Sequence, residues 1–171
     1  MTPDMLTGKR ILIVDDDERI SQMLAVGLTE AGYSCTTASN AYFAADKLRE
    51  QEFELVILDI MMPGKTGMEF LPEIKQHFPH TAVIMLTGVD DLSIAVSAMQ
   101  QGAYDYINKP VTSLAELTLR IEHALSNRAQ LLEIHRYQEN LEQMVKDRTA
   151  ELEERMRELN ELNQKISRGF R

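Results

Sequence analysis

Three continuous apolar runs stand out in the first two thirds of the chain. They are Ile11–Val14, Leu55–Leu58 and Ala82–Leu86. Short runs without a polar residue are typical of strands that are buried on both faces of a parallel sheet. Tyr33–Ala38 and Tyr104–Ile107 are two weaker strand candidates. The pattern therefore predicts five strands.

Amphipathic stretches separate these strands. Ile20, Leu24 and Leu28 recur every four residues after the first strand, and comparable spacings follow the other strands. Such spacing is typical of helices that bury one apolar face. Strands that alternate with helices predict an α/β domain with a doubly wound parallel sheet. We place this domain at residues 1–127.

The end of the chain has a different pattern, which predicts a long C-terminal helix in residues 128–171. No Gly or Pro occurs in residues 111–168 to end that helix early. Eleven positions in residues 131–166 follow one another at alternating intervals of three and four residues, and eight of these positions are apolar. The eleven positions are Leu131, Ile134, Gln138, Leu141, Val145, Arg148, Leu152, Arg155, Leu159, Leu162 and Ile166. We expect a coiled coil that makes the protein a homodimer, weakened by the two arginines in this set. A lone solvated helix, or a helix folded back on the domain, is the alternative.

Composition and charge exclude several classes of protein. The chain has 171 residues, 26% charged, and a formal net charge of −9. Residues 1–127 carry all of this excess, with 18 acidic and 9 basic side chains, whereas residues 128–171 carry 9 of each. Neither part offers a basic stripe for direct nucleic-acid binding. The lack of a long apolar run, of a secretory signal and of cysteines other than Cys35 leads us to expect a cytoplasmic protein without a membrane span.

Polar residues follow four of the five predicted strands. They are Asp15-Asp16-Asp17, Asp59, Thr87 and Lys109-Pro110. Open α/β sheets bind ligands at the carboxyl ends of strands, where the strand order reverses. If the order is 2-1-3-4-5, the acidic cluster faces Asp59 at that point, and such carboxylates repel unless a cation lies among them. Mg²⁺ is the natural cation, and carboxylates, Mg²⁺, a lysine and a hydroxyl are the parts of a phosphoryl-transfer site.

Residues 9–127 resemble the receiver domain of two-component response regulators. The resemblance rests on four segments in the family's order, KRILIVDDDERI, LVILDIMMPGKTGMEFL, VIMLTG and YDYINKP. It implies a flavodoxin-like fold with strand order 2-1-3-4-5, and it implies that Asp59 accepts a phosphoryl group from a sensor histidine kinase. It also implies a Mg²⁺ site formed by four residues: Asp16 binds the ion directly, Asp15 acts through water, Met61 supplies a backbone carbonyl, and Asp59 itself is the fourth.

The resemblance implies roles for the other polar positions as well. Thr87 and Lys109 contact the phosphoryl oxygens, and the peptide bond before Pro110 is cis. Tyr106 occupies the position of an aromatic side chain that rotates when Thr87 moves, although plain packing is the alternative for this residue. We expect Asp17 to cap the following helix rather than to bind the metal.

Two positions in receivers influence the access of water to the phosphoryl group. They lie two residues beyond the phosphoacceptor and two beyond the hydroxyl, which here are Met61 and Val89. Neither side chain can hydrogen-bond a water molecule. The resemblance therefore implies a long-lived phosphorylated state.

The segment NLEQMVKDRTAELEERMREL resembles the signalling-helix coiled coils that connect a receiver to an output module. In such chains the module is an HD-GYP phosphodiesterase, a histidine kinase, a diguanylate cyclase or a phosphatase. We expect the sequence to be a truncated piece that leads into such a module. We expect no enzymatic activity in these residues beyond self-catalysed phosphoryl transfer and autodephosphorylation.

Two other functions fit part of the pattern. Asp15-x-Asp17 after a first strand imitates the nucleophile motif of haloacid-dehalogenase-like phosphohydrolases, although the apolar strand ending at Asp59 has no counterpart there. A stand-alone dimeric receiver adaptor needs no output module at all.

Overall fold

The computed structural model describes residues 8–88 and 92–169, without the side chain of Leu92. Val89, one of the two positions expected to control hydrolysis, lies outside these residues. Within them, five strands alternate with five helices. The elements are β1 (Arg10–Val14), α1 (Glu18–Glu30), β2 (Ser34–Ala38), α2 (Ala41–Glu50), β3 (Leu55–Asp59), α3 (Gly67–His77), β4 (Ala82–Thr87), α4 (Leu92–Gln100), β5 (Asp105–Asn108) and α5 (Leu114–Gly169).

The five strands form one parallel sheet in the order β2-β1-β3-β4-β5. This confirms the predicted doubly wound α/β fold. The three continuous apolar runs form the three central strands, and β3 and β4 are buried at every position. Strands in the middle of a parallel sheet need an apolar side chain on both faces because helices cover both faces.

Alternate side chains of the central strands enter two separate cores. Leu12 and Val14 belong to the core under α2 and α3, whereas Ile11 and Ile13 belong to the core under α1 and α5. All four are completely buried. The sheet is therefore held from both sides, and its strand ends are fixed in place.

β2 begins one residue later than the sequence predicted, at Ser34 rather than Tyr33. The Tyr33 N–H donates to the Leu28 carbonyl at 3.1 Å, across a turn in which Gly32 has a φ of +99°. Tyr33 thus completes the C-terminal cap of α1. The cap, which depends on a left-handed glycine, takes precedence over the strand propensity of tyrosine.

α5 belongs to both of the compact units into which the chain divides, Met1–Ala129 and Gln130–Arg171. In the first unit it buries Leu117, Ile121 and Leu125. The predicted boundary between residues 127 and 128 stays a prediction.

In the second unit, every apolar residue at the predicted coiled-coil positions is between 44% and 64% exposed. These residues are Leu131, Ile134, Leu141, Val145, Leu152, Leu159, Leu162 and Ile166. The rest of this segment is polar for the most part. No helix in the described part of the chain has the length and apolar character that a bilayer crossing requires.

Candidate functional site

The polar residues at the strand ends converge because their strands are parallel neighbours. Asp15 follows β1, Asp59 ends β3 and Thr87 ends β4. All three are at least 96% buried. β5 extends one residue further than predicted, so that Asn108 is in register with Thr87 and Lys109 follows immediately. Four predicted site residues therefore meet at one edge of the sheet.

The Lys109 ammonium group lies between two buried carboxylates. Its Nζ is 2.7 Å from Asp15 Oδ2 and 3.1 Å from Asp59 Oδ1. The Lys109 N–H donates to the Thr87 carbonyl at 2.6 Å, and the peptide bond to Pro110 is cis. The lysine is thus anchored at both its main chain and its ammonium group, which is aimed at Asp59.

Two neighbouring negative charges and burial define the electrostatics of the site. Burial raises the pKa of Asp59 to about 6, with the nearby Asp15 charge adding to the rise and Lys109 opposing it. Burial lowers the pKa of Lys109, but the bonds to Asp15 and the charge of Asp59 outweigh burial and raise it overall. The site therefore holds a charged lysine and an excess of negative charge that a further cation would balance.

Among the described residues, Asp15, Asp16 and Asp59 bring one oxygen each within 4.8 Å of one another. Asp16 is exposed, whereas the other two are buried. A set of carboxylate oxygens open to solvent on one side suits a hard cation that keeps part of its water shell. The residues present therefore fit a Mg²⁺ ion.

Asp17 is close in sequence to this cluster but has another role. Its side chain accepts a hydrogen bond from the Arg19 N–H at 2.9 Å as the N-cap of α1. That bond lowers the pKa of Asp17. The Asp17 N–H itself donates to Asp15 Oδ1 at 2.9 Å, which orients the carboxylate of Asp15.

The loop after β3 closes tightly over the phosphoacceptor candidate. The Met61 N–H donates to Asp59 Oδ1 at 3.3 Å, and the Met61 side chain is 62% exposed. The Gly67 N–H donates to the Ile60 carbonyl at 2.9 Å. A Cβ on Gly67 would lie 2.1 Å from the main-chain oxygen of Asp59. Gly67 is therefore part of the site, although it is not among the site residues predicted from the sequence.

The sequence does contain a signal for the residue at which α3 begins. Thr66 and Glu69 have the spacing of a capping box, in which each side chain bonds to the other residue's backbone N–H, and the structure has this arrangement. The capping box starts α3 at Gly67, where the helix meets Asp59. Tyr106 is half-buried and packs against the core under α2 and α3.

The family profile described as "Response regulator receiver domain" matches residues 11–122. The chain belongs to this family. The match covers both the acidic cluster and Lys109, and it favours a receiver over the haloacid-dehalogenase-like phosphohydrolase that was the alternative. Receiver homologues are regulatory phosphoacceptors.

Known proteins support the same assignment. The receiver is 42% identical over 115 residues to the DNA-binding transcriptional regulator NtrC of Klebsiella pneumoniae, covering 67% of this chain and 24% of that protein. It is similar to NtrX of Brucella abortus, crystallised with ADP, with a TM-score of 0.72 and 34% identity over 75% of this chain and 30% of that one. A CheY-like receiver from Methanospirillum hungatei JF-1 matches with a TM-score of 0.69 and 33% identity, covering 72% of this chain and 98% of that one.

The matched region thus spans about a quarter of the length of the NtrC relatives. Two solved structures that match over 98% of their own length are described as response regulator receiver domain proteins.

Proposed function

We propose that this receiver accepts a phosphoryl group on Asp59 from the phosphohistidine of a sensor histidine kinase. The observation that carries the proposal is the position of the buried Asp59 carboxylate, 3.1 Å from the Lys109 ammonium group and within the cluster of three carboxylates. The same edge of the sheet thus holds a nucleophile, a fixed positive charge and a group of carboxylates that suits a metal ion. These are the parts that phosphoryl transfer needs.

In the proposed reaction, an Asp59 carboxylate oxygen attacks phosphorus. An O–P bond forms as the P–N bond to the histidine breaks, and the histidine nitrogen leaves with the electron pair and takes up a proton. Lys109 stabilises the negative charge on the transferring phosphoryl oxygens from a preorganised position. The hydroxyl of Thr87, at the end of β4, contacts one of these oxygens in the phosphorylated state.

We propose that Asp16 and Asp59 bind Mg²⁺ directly, together with the backbone carbonyl of Met61, and that Asp15 acts through water. When bound, Mg²⁺ neutralises charge on the phosphoryl oxygens. The need for Mg²⁺ follows from the electrostatics of the site. Lys109 carries one positive charge, whereas it faces two buried carboxylates and, after the transfer, a phosphoryl group with two negative charges. With such a cation bound, the ionised form of Asp59, which is the nucleophile, would be favoured further.

We further propose that residues 131–166 pair with a second copy of the chain as a parallel coiled coil. The apolar row at the core positions is about half exposed in one chain, and the helix is mostly polar elsewhere, so a second copy of the same row is a matching surface to cover it. In this proposal Thr87 and Tyr106 change position on phosphorylation, and α5 passes the change to an output module. That module is an HD-GYP phosphodiesterase, a histidine kinase, a diguanylate cyclase or a phosphatase.

Intact-mass spectrometry with acetyl phosphate tests the phosphoacceptor directly. The chain should gain about 80 Da in the presence of Mg²⁺, and the gain should disappear with a chelator or in Asp59→Asn. Asp17→Asn is the matched control, because Asp17 caps α1 and should be dispensable for phosphorylation. An Asp59→Asn chain that gains the mass at the wild-type rate would contradict the assignment.

A further inference from the structure

Two cationic side chains hold the connection between α3 and β4, at the end of the sheet opposite to the carboxylate cluster. Lys75 Nζ of α3 donates to the main-chain carbonyls of Pro79 at 3.2 Å and Thr81 at 3.0 Å. Arg128 Nε of α5 donates to the carbonyl of His80 at 2.6 Å. Three consecutive carbonyls therefore each accept a hydrogen bond from a charged donor, and the donors belong to two different helices.

The connection is also fixed from within the domain. The buried Thr81 hydroxyl donates to the Phe53 carbonyl at 3.0 Å. The aliphatic part of Lys75 lies against Gly102, where a Cβ would be 3.2 Å from Lys75 Cγ. Hydrogen bonds from charged donors are stronger than those between neutral groups, so several of them together hold the backbone of this connection in one arrangement.

Arg128 lies just beyond the last buried residues of α5. The last buried residues of the helix are Ala124 and Leu125, and the first compact unit ends at Ala129. Arg128 is between these two limits. Its bond to His80 therefore joins the receiver to the final turn of α5 before the predicted coiled coil.

We propose that Lys75 and Arg128 form a clamp on the connection between α3 and β4. The clamp fixes the turn of α5 that contains Arg128 and couples the phosphorylation state of Asp59 to residues 131–166. This inference rests on the proposed function. β4 provides the physical link, because Thr87 ends the strand beside the phosphoacceptor and Thr81 immediately precedes its other end. With Arg128 bonded to the connection, a displacement of β4 reaches the turn of α5 that follows Leu125. Without that bond, the helix follows the sheet through its buried residues, which end at Leu125.

Arg128→Met tests the clamp, because methionine keeps an apolar stem and removes the hydrogen-bond donors. Arg136→Met is the matched control, since Arg136 is an exposed arginine about two turns further along the same helix. The measurement is the dimer Kd of the full chain by sedimentation equilibrium, with and without beryllofluoride as a phosphoryl mimic. Wild type and Arg136→Met should show a shift in Kd on the order of fivefold or more, in the range of allosteric couplings, whereas Arg128→Met should shift by less than about twofold.

Two further measurements keep the outcomes distinct. Intact-mass spectrometry should show that Arg128→Met gains the phosphoryl group at the wild-type rate. If wild type itself gains no phosphoryl group, the proposed function is wrong, and this result is distinct from a failure of the clamp. Hydrogen exchange should show faster exchange of the His80 and Thr81 amides in Arg128→Met. A full Kd shift in Arg128→Met would overturn the clamp, and so would a phosphorylated, dimeric wild type whose Kd does not change.

Discussion

Gly67 packs directly against the main-chain carbonyl of Asp59. A Cβ added to Gly67 would lie 2.1 Å from the Asp59 oxygen, 2.9 Å from the Asp59 carbonyl carbon and 3.0 Å from Ile60 Cα. All three are backbone atoms, which cannot turn away as the end of a side chain can. The N-terminus of α3 thus sets the position of the phosphoacceptor strand end, and any side chain at Gly67 must displace one of the two.

Gly67→Ala should destabilise the protein by about 1–3 kcal/mol or more, as overpacking a fixed backbone does, and should weaken Mg²⁺ binding by the folded protein. Denaturant unfolding and calorimetric Mg²⁺ titration measure the two effects. Gly27→Ala is the control, because the added Cβ would meet the side chain of Leu114 at 2.6 Å. That leucine is 39% exposed and can rotate, so this variant should stay within about 1 kcal/mol of wild type. Equal stability of the two variants would contradict the role of Gly67.

The sequence pattern was sufficient for the sheet and for the polar strand ends. Runs such as Leu55–Leu58 have few alternatives to a buried strand, and a parallel sheet places every strand's carboxyl end at one edge. Once the strand order is known, Asp15, Asp59 and Lys109 must meet there. These predictions succeed because each depends on local pattern and on a topology with few variants.

Contacts between distant segments could not be predicted in the same way. Arg128 and His80 are 48 residues apart, and the acceptor is a backbone carbonyl that any residue type provides. Gly67 has a negative φ and a place in a helix, so the reason for a glycine lies in the neighbouring strand rather than in its own conformation. Such contacts have no local sequence signal because the partner is fixed only by the finished fold.

Neutralising Asp59 should stabilise the metal-free protein at neutral pH. Burial and the Asp15 charge raise the pKa of Asp59 in the folded state from 3.8 to about 6. Between these values the folded protein binds more protons than the unfolded chain, so stability falls as the pH rises through this window and stays reduced above it. At pH 7.5 in the presence of a chelator, Asp59→Asn should therefore unfold at a higher denaturant concentration than wild type. Its free energy of unfolding should be larger by about 1–3 kcal/mol.

The same measurement at pH 4 gives the internal check of this effect. Wild-type Asp59 is then largely protonated in the folded state, and the advantage of Asp59→Asn should shrink toward zero. Asp17→Asn keeps a good N-cap residue and should give no gain at either pH. A constant advantage of Asp59→Asn at both pH values would show that its cause is not the ionisation of Asp59.

The lifetime of the phosphorylated state should depend on the side chain of Met61. It is 62% exposed beside Asp59 and offers no good hydrogen bond to an attacking water molecule. Met61→Asn supplies such a bond, and about 1 kcal/mol in the transition state corresponds to roughly fivefold faster hydrolysis. Phosphoprotein decay followed by intact mass measures the rate. Met23→Asn, at an exposed methionine of α1, should decay as wild type does. Equal half-lives for Met61→Asn and wild type would count against this role.

Two arginines interrupt the apolar row of the predicted coiled coil, and both pair with the same glutamate. Arg148 lies 2.5 Å from Glu151, and Arg155 lies 2.9 Å from the other carboxylate oxygen of that residue. The two arginine side chains are 66% and 62% exposed in one chain, and that of Glu151 is 43% exposed. Pairing with a second helix at Leu152, which lies between the arginines, brings these charges toward the dimer core, where they lose hydration.

Replacing both arginines with leucine should therefore tighten the dimer. Each fully buried leucine side chain contributes about 1.5–3 kcal/mol, so the Kd should fall by well over tenfold and the melting temperature of the helix should rise. Arg157→Leu is the matched control, because Arg157 lies outside the core spacing and should leave the Kd unchanged. Sedimentation equilibrium and circular dichroism measure the two quantities.

The same double variant should respond less to phosphorylation. A coil of marginal stability can be shifted by a coupling of a few kcal/mol, whereas a much more stable coil stays paired in both states. We therefore expect Arg148→Leu/Arg155→Leu to show a smaller change in helix melting with beryllofluoride than wild type, while Asp59 is phosphorylated at the same rate. A wild-type chain that remains monomeric at tens of micromolar, with and without the mimic, would refute the coiled coil and leave the receiver assignment intact.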